Sequence, residues 1–354
     1  MNIFFLAHGS QMIGMGHIMR CLALAEELRF RGNDVCFLSK FELGIKRIKE
    51  ECFKVIKMPS NEIKVRGFSF GDHQELLEDI SFFEEKFGNA RFDILIVDSY
   101  NVSERLFENA RKWFSTLVYI DDLNAFSYNV DILVNGTAAA PFMSYKKGNE
   151  NEEMLLGLSY NMLRKEFQEI LTRKPRRLVR DVFITTGASD PYYMSEKILD
   201  LLTEAEWFHD MNFHVIIGGG FEEGIYERIA NKKFSNITIY SSPDRISDIM
   251  KICDFAITSG GSTLYELAAC GIPSIVFQYS DNQHWQIKIL EQQGIIYNIG
   301  DYKKLESNTL IQFIEKMRND FKEREKLVER LIELVDGKGV WRIAERISNQ
   351  LNMF

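Results

Sequence analysis

Short apolar runs alternate with stretches of helical period along most of the chain. Ile3 to Leu6, Asp34 to Leu38, Ile94 to Val97, Leu117 to Ile120 and Ile132 to Val134 each read as a strand. After the first strand and its glycine-rich turn, Ile18 to Arg31 carries Ile18, Leu22, Leu24, Ala25 and Leu28 at helical spacing. Such alternation predicts a parallel, doubly wound sheet. A basic, proline-containing stretch, Arg173-Lys-Pro-Arg-Arg177, interrupts the pattern and reads as a linker. The alternation then restarts with Asp181 to Thr185, Phe213 to Ile217, Ile237 to Tyr240, Phe255 to Thr258 and Ser274 to Phe277. The expectation is an α/β protein of two doubly wound domains facing a cleft, residues 1–170 and 171–354, the helix after Gly339 crossing back to brace the first domain.

Length and composition fit that reading. The 354 residues suit two cores, and 45% hydrophobic with 27% charged residues is ordinary for a globular protein. A formal net charge of -8 argues against a general nucleic-acid or anionic-membrane surface, so any phosphate must be bound locally. Cys21, Cys36, Cys52, Cys253 and Cys270 are odd in number, form no C-x-x-C pair and lie in apolar segments, so all read as reduced core residues. The first residues lack the basic start and long apolar stretch of a signal peptide, and no apolar run approaches the ~20 residues of a membrane span. A cytoplasmic protein without stable membrane association is expected.

Four stretches carry candidate chemistry. In Ser10-Gln-Met-Ile-Gly14-Met-Gly16-His17, the glycines permit close approach of a ligand, and His17 opens a helix where an imidazole can serve as general base. An ordinary turn and a helix-capping histidine fit the same residues. In Val97-Asp98-Ser99-Tyr100-Asn101, at a strand end, Asp98 and Tyr100 alternate with Ser99 and so share one side of the strand, placing Asp98 to orient His17 and Tyr100 to position a water or a sugar hydroxyl. A turn capped by Asp98 or Ser103 is the alternative.

In Thr258-Ser-Gly260-Gly261-Ser262-Thr263, a strand passes straight into a helix, so backbone N–H groups and the helix dipole make a diphosphate cradle. Glu266, one turn on, is placed to accept hydrogen bonds from ribose hydroxyls, or is simply a favourable acid in a first helical turn. Gln278-Tyr-Ser-Asp281-Asn282-Gln283 offers amides to a sugar or pyrophosphate, or is a plain polar loop. Gly218-Gly219-Gly220 also follows a strand and is a weaker candidate for contact with a base or ribose. No metal-ligand spacing and no G-x-x-x-x-G-K-[ST] loop occurs. No metal and no cofactor is expected.

Taken in order, these motifs resemble a known family. Ser-Gly-Gly-Ser-Thr-Leu-Tyr-Glu-Leu followed by Gly-Ile-Pro and Asp-Asn-Gln is similar to the UDP-sugar-binding half of GT-B glycosyltransferases. Ile13-Gly-Met-Gly-His-Ile-Met-Arg-Cys21, Asp98-Ser-Tyr100, Asp121-Asp122-Leu, Asp131-Ile-Leu-Val-Asn135, Leu156 to Phe167, Gly187-Ala-Ser-Asp190 and Asp336-Gly-Lys-Gly339 more closely resemble the UDP-2,4-diacetamido-2,4,6-trideoxy-β-L-altropyranose hydrolases. Those belong to pseudaminic acid biosynthesis and include spore-coat polysaccharide relatives. The resemblance implies two Rossmann-like domains of GT-B type and inverting hydrolysis of the sugar C1–O bond to UDP and free sugar, without a metal. It makes His17 the base, with Tyr100 positioning water and, on our reading, Asp98 orienting the histidine. Gly14, Gly16, Arg20, Gly187, Gly260, Gly261, Ser262, Thr263, Glu266, Asn282 and Gln283 become the residues contacting UDP or sugar. One departure stands in the first loop, Leu6-Ala7-His8-Gly9-Ser10, where many family members carry Arg and an acidic or small residue. A glycosyltransferase with an acceptor, an epimerase-like enzyme and a non-catalytic UDP-sugar-binding protein are the competing readings; the UDP half alone does not separate them.

Overall fold

A computed structural model describes residues 1–10, 13–60, 73–168 and 174–351. Two compact units divide the chain: Met1–Arg164 together with the segment from Lys338 onward, and Lys165–Gly337.

The first unit runs β1 (Asn2–Ala7), α1 (Gly16–Phe30), β2 (Asp34–Ser39), α2 (Glu42–Glu50), β3 (Lys54–Lys57), α3 (His73–Phe87), β4 (Phe92–Asp98), α4 (Glu104–Ala110), β5 (Phe114–Ile120), β6 (Ile132–Asn135) and β7 (Glu153–Leu156). Its seven strands are ordered β3-β2-β1-β4-β5-β6-β7 and all pair in parallel. The central strands are buried on both faces, which is why they read as unbroken apolar runs. On one face Phe4, Phe83, Phe87, Phe92, Trp113 and Phe114 form a network of edge-on and tilted ring contacts. Phe83 is thus core, with Phe82 packed at its margin. Phe68 and Phe70, expected alongside them, lie outside the described residues.

The second unit runs β8 (Asp181–Thr185), α5 (Met194–Leu202), β9 (Asn212–Ile217), α6 (Ile225–Ala230), β10 (Ile237–Ser241), α7 (Ile246–Ile252), β11 (Phe255–Ser259), α8 (Thr263–Ala269), β12 (Ser274–Gln278), α9 (His284–Gln292), β13 (Ile296–Asp301), α10 (Ser307–Asn319) and α11 (Phe321–Leu334). Its six parallel strands are ordered β10-β9-β8-β11-β12-β13. A buried arginine closes its back edge: Arg324 of α11 donates to the carbonyls of Arg176 and Arg177, fixing the chain just before β8. Arg173, at the start of the expected linker, is not among the described residues.

The last helix, α12 (Gly339–Leu351), packs on α1 in the first unit. Val340, Ile343, Ala344 and Ile347 form its buried stripe, at the i, i+3, i+4, i+7 spacing of an amphipathic helix. Covered by the sheet and by α12, α1 buries eight of its fifteen residues.

The cysteine reading needs correction. All five are free, but only Cys21, Cys253 and Cys270 are buried; Cys36 is half-buried and Cys52 is exposed. Cys52 sits in the tight turn between α2 and β3, with a left-handed φ of 58°. A turn at the surface interrupts the apolar pattern there.

Candidate active site

Each sheet reverses its direction of winding once, at β1/β4 in the first unit and at β8/β11 in the second. Loops leaving the carboxyl ends of such strand pairs diverge and leave an opening, where doubly wound proteins bind ligands. Most sequence candidates fall at these two points, while Asn282 and Gln283 follow β12 and Gly218 follows β9.

In the first unit, β4 ends on Asp98, whose side chain is completely buried. The segment beyond does not use it as a cap, because Ser103 caps α4, its Oγ accepting from the Leu106 N–H at 3.3 Å. Asp98 instead gathers donors from α1. His17 Nδ1 lies 2.6 Å from Asp98 Oδ1, Arg20 Nη2 donates to Oδ1 at 2.6 Å and Arg20 Nε to Oδ2 at 2.6 Å, and the Cys21 thiol donates to Oδ2 at 3.4 Å. The i, i+3, i+4 spacing of His17, Arg20 and Cys21 on a helix puts all three on one face. Burial opposes the charge on Asp98, but Arg20 and then His17 override it and hold the carboxyl well below the usual range. Burial likewise pushes the Cys21 thiol up, leaving it a protonated donor.

A second carboxylate joins this centre. Asp122, just past β5, accepts from Arg20 Nη1 at 3.2 Å and from the Tyr100 hydroxyl at 3.0 Å, both at Oδ2. The Tyr100 ring stands edge-on to His17, centroids 4.6 Å apart and planes at 83°. The structure therefore brings His17, Asp98, Tyr100 and Arg20 together. It does so differently from expectation, because Tyr100 lies beyond the end of β4 and is tied in through Asp122 rather than by strand alternation. Arg20, counted with the substrate contacts, spends its guanidinium on two carboxylates. Asp122 and Cys21 were quoted in motifs without a role; what joins them to the site is the pairing of β4 with β5 and the packing of α1, neither of which a motif displays.

The loop before α1 is held by Ser10, whose N–H donates to the Gly14 carbonyl at 3.2 Å and whose Oγ accepts from the Ile13 N–H at 3.2 Å. Gly14 has a φ of +78°, the left-handed region that glycine enters without strain. Among the described residues, no atom lies within 4 Å of where a Cβ on Gly16 would stand, so their packing does not demand glycine there. His8, at the departure in this loop, is buried; burial, then Lys40, drives its imidazole well below its ordinary value and keeps it neutral.

In the second unit, β8, β9, β11 and β12 present their loops at one edge. Gly187 (φ +104°) follows β8, and Ser259, ending β11, donates from Oγ to the Thr186 carbonyl at 2.9 Å. Gly260, Gly261 and Ser262 then lead into α8, which has no side-chain cap and carries Glu266, half-buried, in its first turn. Gly260 serves packing as well, since a Cβ there would stand 2.4 Å from Ile287 Cδ1. Gln286, absent from the sequence candidates, braces this turn by donating its amide to the Gly260 carbonyl while accepting from the Tyr265 hydroxyl. Gln283 accepts from the Tyr279 N–H at 2.9 Å, so its oxygen is committed inside the protein; its Nε2 faces the Gly261 turn. The side chain of Asn282 is outside what the structure describes. Gly218 follows β9, and the Ala188 carbonyl lies 2.5 Å from where its Cβ would be, which gives that glycine a packing cause. Among the described residues no cluster of His, Cys, Asp and Glu is arranged to hold a metal ion, and no helix is long and apolar enough to cross a membrane.

Residues 182–334 match the glycosyltransferase family 28 C-terminal domain. Across nearly its whole length the chain is 31% identical to uncharacterized protein MJ1062 of Methanocaldococcus jannaschii, covering 99% of this chain and 67% of that protein. The chain belongs to the MJ1062 family. The chain also shows likeness to named proteins. It is 25% identical to the spore coat polysaccharide biosynthesis protein SpsG of Bacillus subtilis (97% of this chain, 96% of that protein). It is 29% identical to the UDP-2,4-diacetamido-2,4,6-trideoxy-beta-L-altropyranose hydrolase of Campylobacter jejuni (58% of this chain, 67% of that protein). Among solved structures, MurG of Acinetobacter baumannii superposes with a TM-score of 0.66 at 12% identity, over 99% of this chain and all of that one. At that identity the likeness shows the fold: two Rossmann-like α/β units, the GT-B type.

Proposed function

We propose that this protein is a nucleotide-sugar enzyme and that it hydrolyses a UDP-linked diacetamido trideoxy sugar of the altropyranose type, without a metal, to UDP and the free sugar. The arrangement of His17 on Asp98 carries the reading. With Nδ1 bound to a buried carboxylate, the imidazole presents Nε2 as a base. Water attacks the anomeric carbon as its proton passes to Nε2; the new C1–O bond forms, and the C1–O bond to the diphosphate breaks with its electron pair leaving on UDP. Displacement by water inverts the anomeric centre. In the second unit, the turn from Gly260 to Thr263 receives the diphosphate, with Gly187 beside it and Glu266 on the ribose. Support also comes from the named hydrolase of Campylobacter jejuni.

A second reading, transfer of the sugar to an acceptor, stands beside it because the matched glycosyltransferase domain covers only the half that would hold UDP, which both activities share. One experiment separates them. UDP release from UDP-2,4-diacetamido-2,4,6-trideoxy-β-L-altropyranose is followed with EDTA present and no acceptor, for wild type and His17→Ala. Release that His17→Ala abolishes, with UDP affinity retained, is the expected result. Tight UDP binding without release sinks the hydrolase reading and leaves the transferase.

A further inference from the structure

Asp122 has no assigned part in the chemistry above, yet its position fixes the direction of the one hydrogen bond on which water placement depends. Its Oδ2 accepts from Arg20 Nη1 at 3.2 Å and lies 3.0 Å from the Tyr100 hydroxyl. Arginine only donates, and a carboxylate facing it only accepts. The proton between Tyr100 and Asp122 therefore belongs to the phenol. That leaves the Tyr100 oxygen with lone pairs alone to offer on its other side.

We infer that Asp122 is a positioning residue that makes Tyr100 a hydrogen-bond acceptor, so that the attacking water is held by both of its hydrogens, one on His17 Nε2 and one on the Tyr100 oxygen. This rests on the hydrolytic reading above. A water held by both hydrogens keeps its lone pairs for the anomeric carbon. Were Tyr100 the donor, it would occupy a lone pair and blunt the nucleophile. The Tyr100 ring packs edge-on against the His17 imidazole, so the two side chains that would hold the water are direct neighbours.

The surrounding structure keeps Asp122 to this task. Its neighbour Asp121 is fully engaged elsewhere: it accepts from the Tyr145 hydroxyl at 2.5 Å and from the Leu123 and Asn124 N–H groups at 3.1 and 2.7 Å. Those bonds shape the turn after β5 that delivers Asp122. The Tyr119 hydroxyl, near the end of β5, donates to the Ser99 carbonyl at 3.1 Å and staples that strand to the segment carrying Tyr100. Two consecutive aspartates thus do separate work, one building the turn and one aiming the phenol.

The test uses the full-length enzyme with Asp122→Ala, Asp122→Asn, Tyr100→Phe and the Asp122→Ala/Tyr100→Phe double variant. Asp122→Ala and Tyr100→Phe each lower kcat by about tenfold or more with KM within about threefold, the pattern of an interaction felt mainly in the transition state. The double variant is no worse than the poorer single, since both remove the same unit. Asp122→Asn recovers part of the loss, because its amide oxygen still accepts from the phenol. In protein labelled at the tyrosine 13Cζ, the Tyr100 resonance, identified by its loss in Tyr100→Phe, moves in Asp122→Ala and returns toward its place in Asp122→Asn. An active wild type with unimpaired Asp122→Ala, losses that multiply in the double variant, or an unmoved resonance overturns the inference alone. A wild type that hydrolyses nothing overturns the hydrolytic reading and this inference with it.

Discussion

Replacing Asp98 with asparagine tests how much the first unit depends on the charge beneath its candidate base. Asp98 is wholly buried, and the Arg20 guanidinium that faces it through two 2.6 Å contacts is only a fifth exposed. Removing one partner of a buried ion pair costs about 3–5 kcal/mol, and the second carboxylate on Arg20 sets the expectation at the lower end, about 3 kcal/mol. With a urea m-value of about 2–3 kcal/mol/M, the midpoint falls by about 1–1.5 M. Unfolding of two units need not be a single transition, so the probe must belong to the first. Trp113 and Trp341 lie there and Trp207 and Trp285 in the other, so a background carrying Trp207→Phe and Trp285→Phe isolates it. The pH dependence has a definite sign. The folded pKa of Asp98 is depressed, so its stabilisation is complete above the ordinary aspartate value of about 3.9. Below that value it is lost at about 1.4 kcal/mol per pH unit until the folded pKa is reached. The gap between wild type and Asp98→Asn therefore narrows below pH 4. A midpoint shift under about 0.3 M at pH 7, or a gap that widens in acid, refutes the reasoning.

Two further outcomes follow from the geometry. Gly260→Ala puts a methyl 2.4 Å from Ile287 Cδ1 and 3.2 Å from Gln283 Cβ; overpacking of about 1–3 kcal/mol lowers the melting temperature of the second unit, and UDP affinity measured by calorimetry drops about tenfold or more, while unchanged affinity removes that turn from the site. Titration with a thiol reagent under native conditions finds one fast group, abolished in Cys52→Ser, with Cys21, Cys253 and Cys270 reacting only on unfolding.

Much of this was legible in the chain. The core strands declared themselves because strands covered on both faces are apolar throughout, as Phe255 to Ser259 is. β3, β7 and β13 escaped notice: Lys54–Lys57 is a half-exposed edge strand with two apolar residues, Glu153–Leu156 is equally short, and Ile296–Asp301 is an edge strand broken by Asn298, Gly300 and Asp301. At the site, Asp98 and His17 were found by strand-end position and helix-start chemistry. Their expected link to Tyr100 by alternation was replaced by a bond through Asp122, twenty-two residues further on. That contact depends on β4 lying beside β5, and no spacing rule reports which strands are neighbours. Gly218 and Gly260 show the opposite limit. A glycine kept clear for a ligand and a glycine kept clear for a carbonyl or an isoleucine look the same in a sequence, and only the would-be Cβ contacts distinguish them.

The return of α12 to α1 imposes an order on biosynthesis. A ribosome emits the first unit's sheet and α1, then all of Lys165–Gly337, and only afterward the helix that covers α1. Until then the nascent first unit exposes the apolar surface that Val340, Ile343, Ala344 and Ile347 will bury, while the second unit can complete its core as a contiguous piece of chain. The half that holds the candidate base is therefore the last to be finished, and the middle of the polypeptide matures before its beginning.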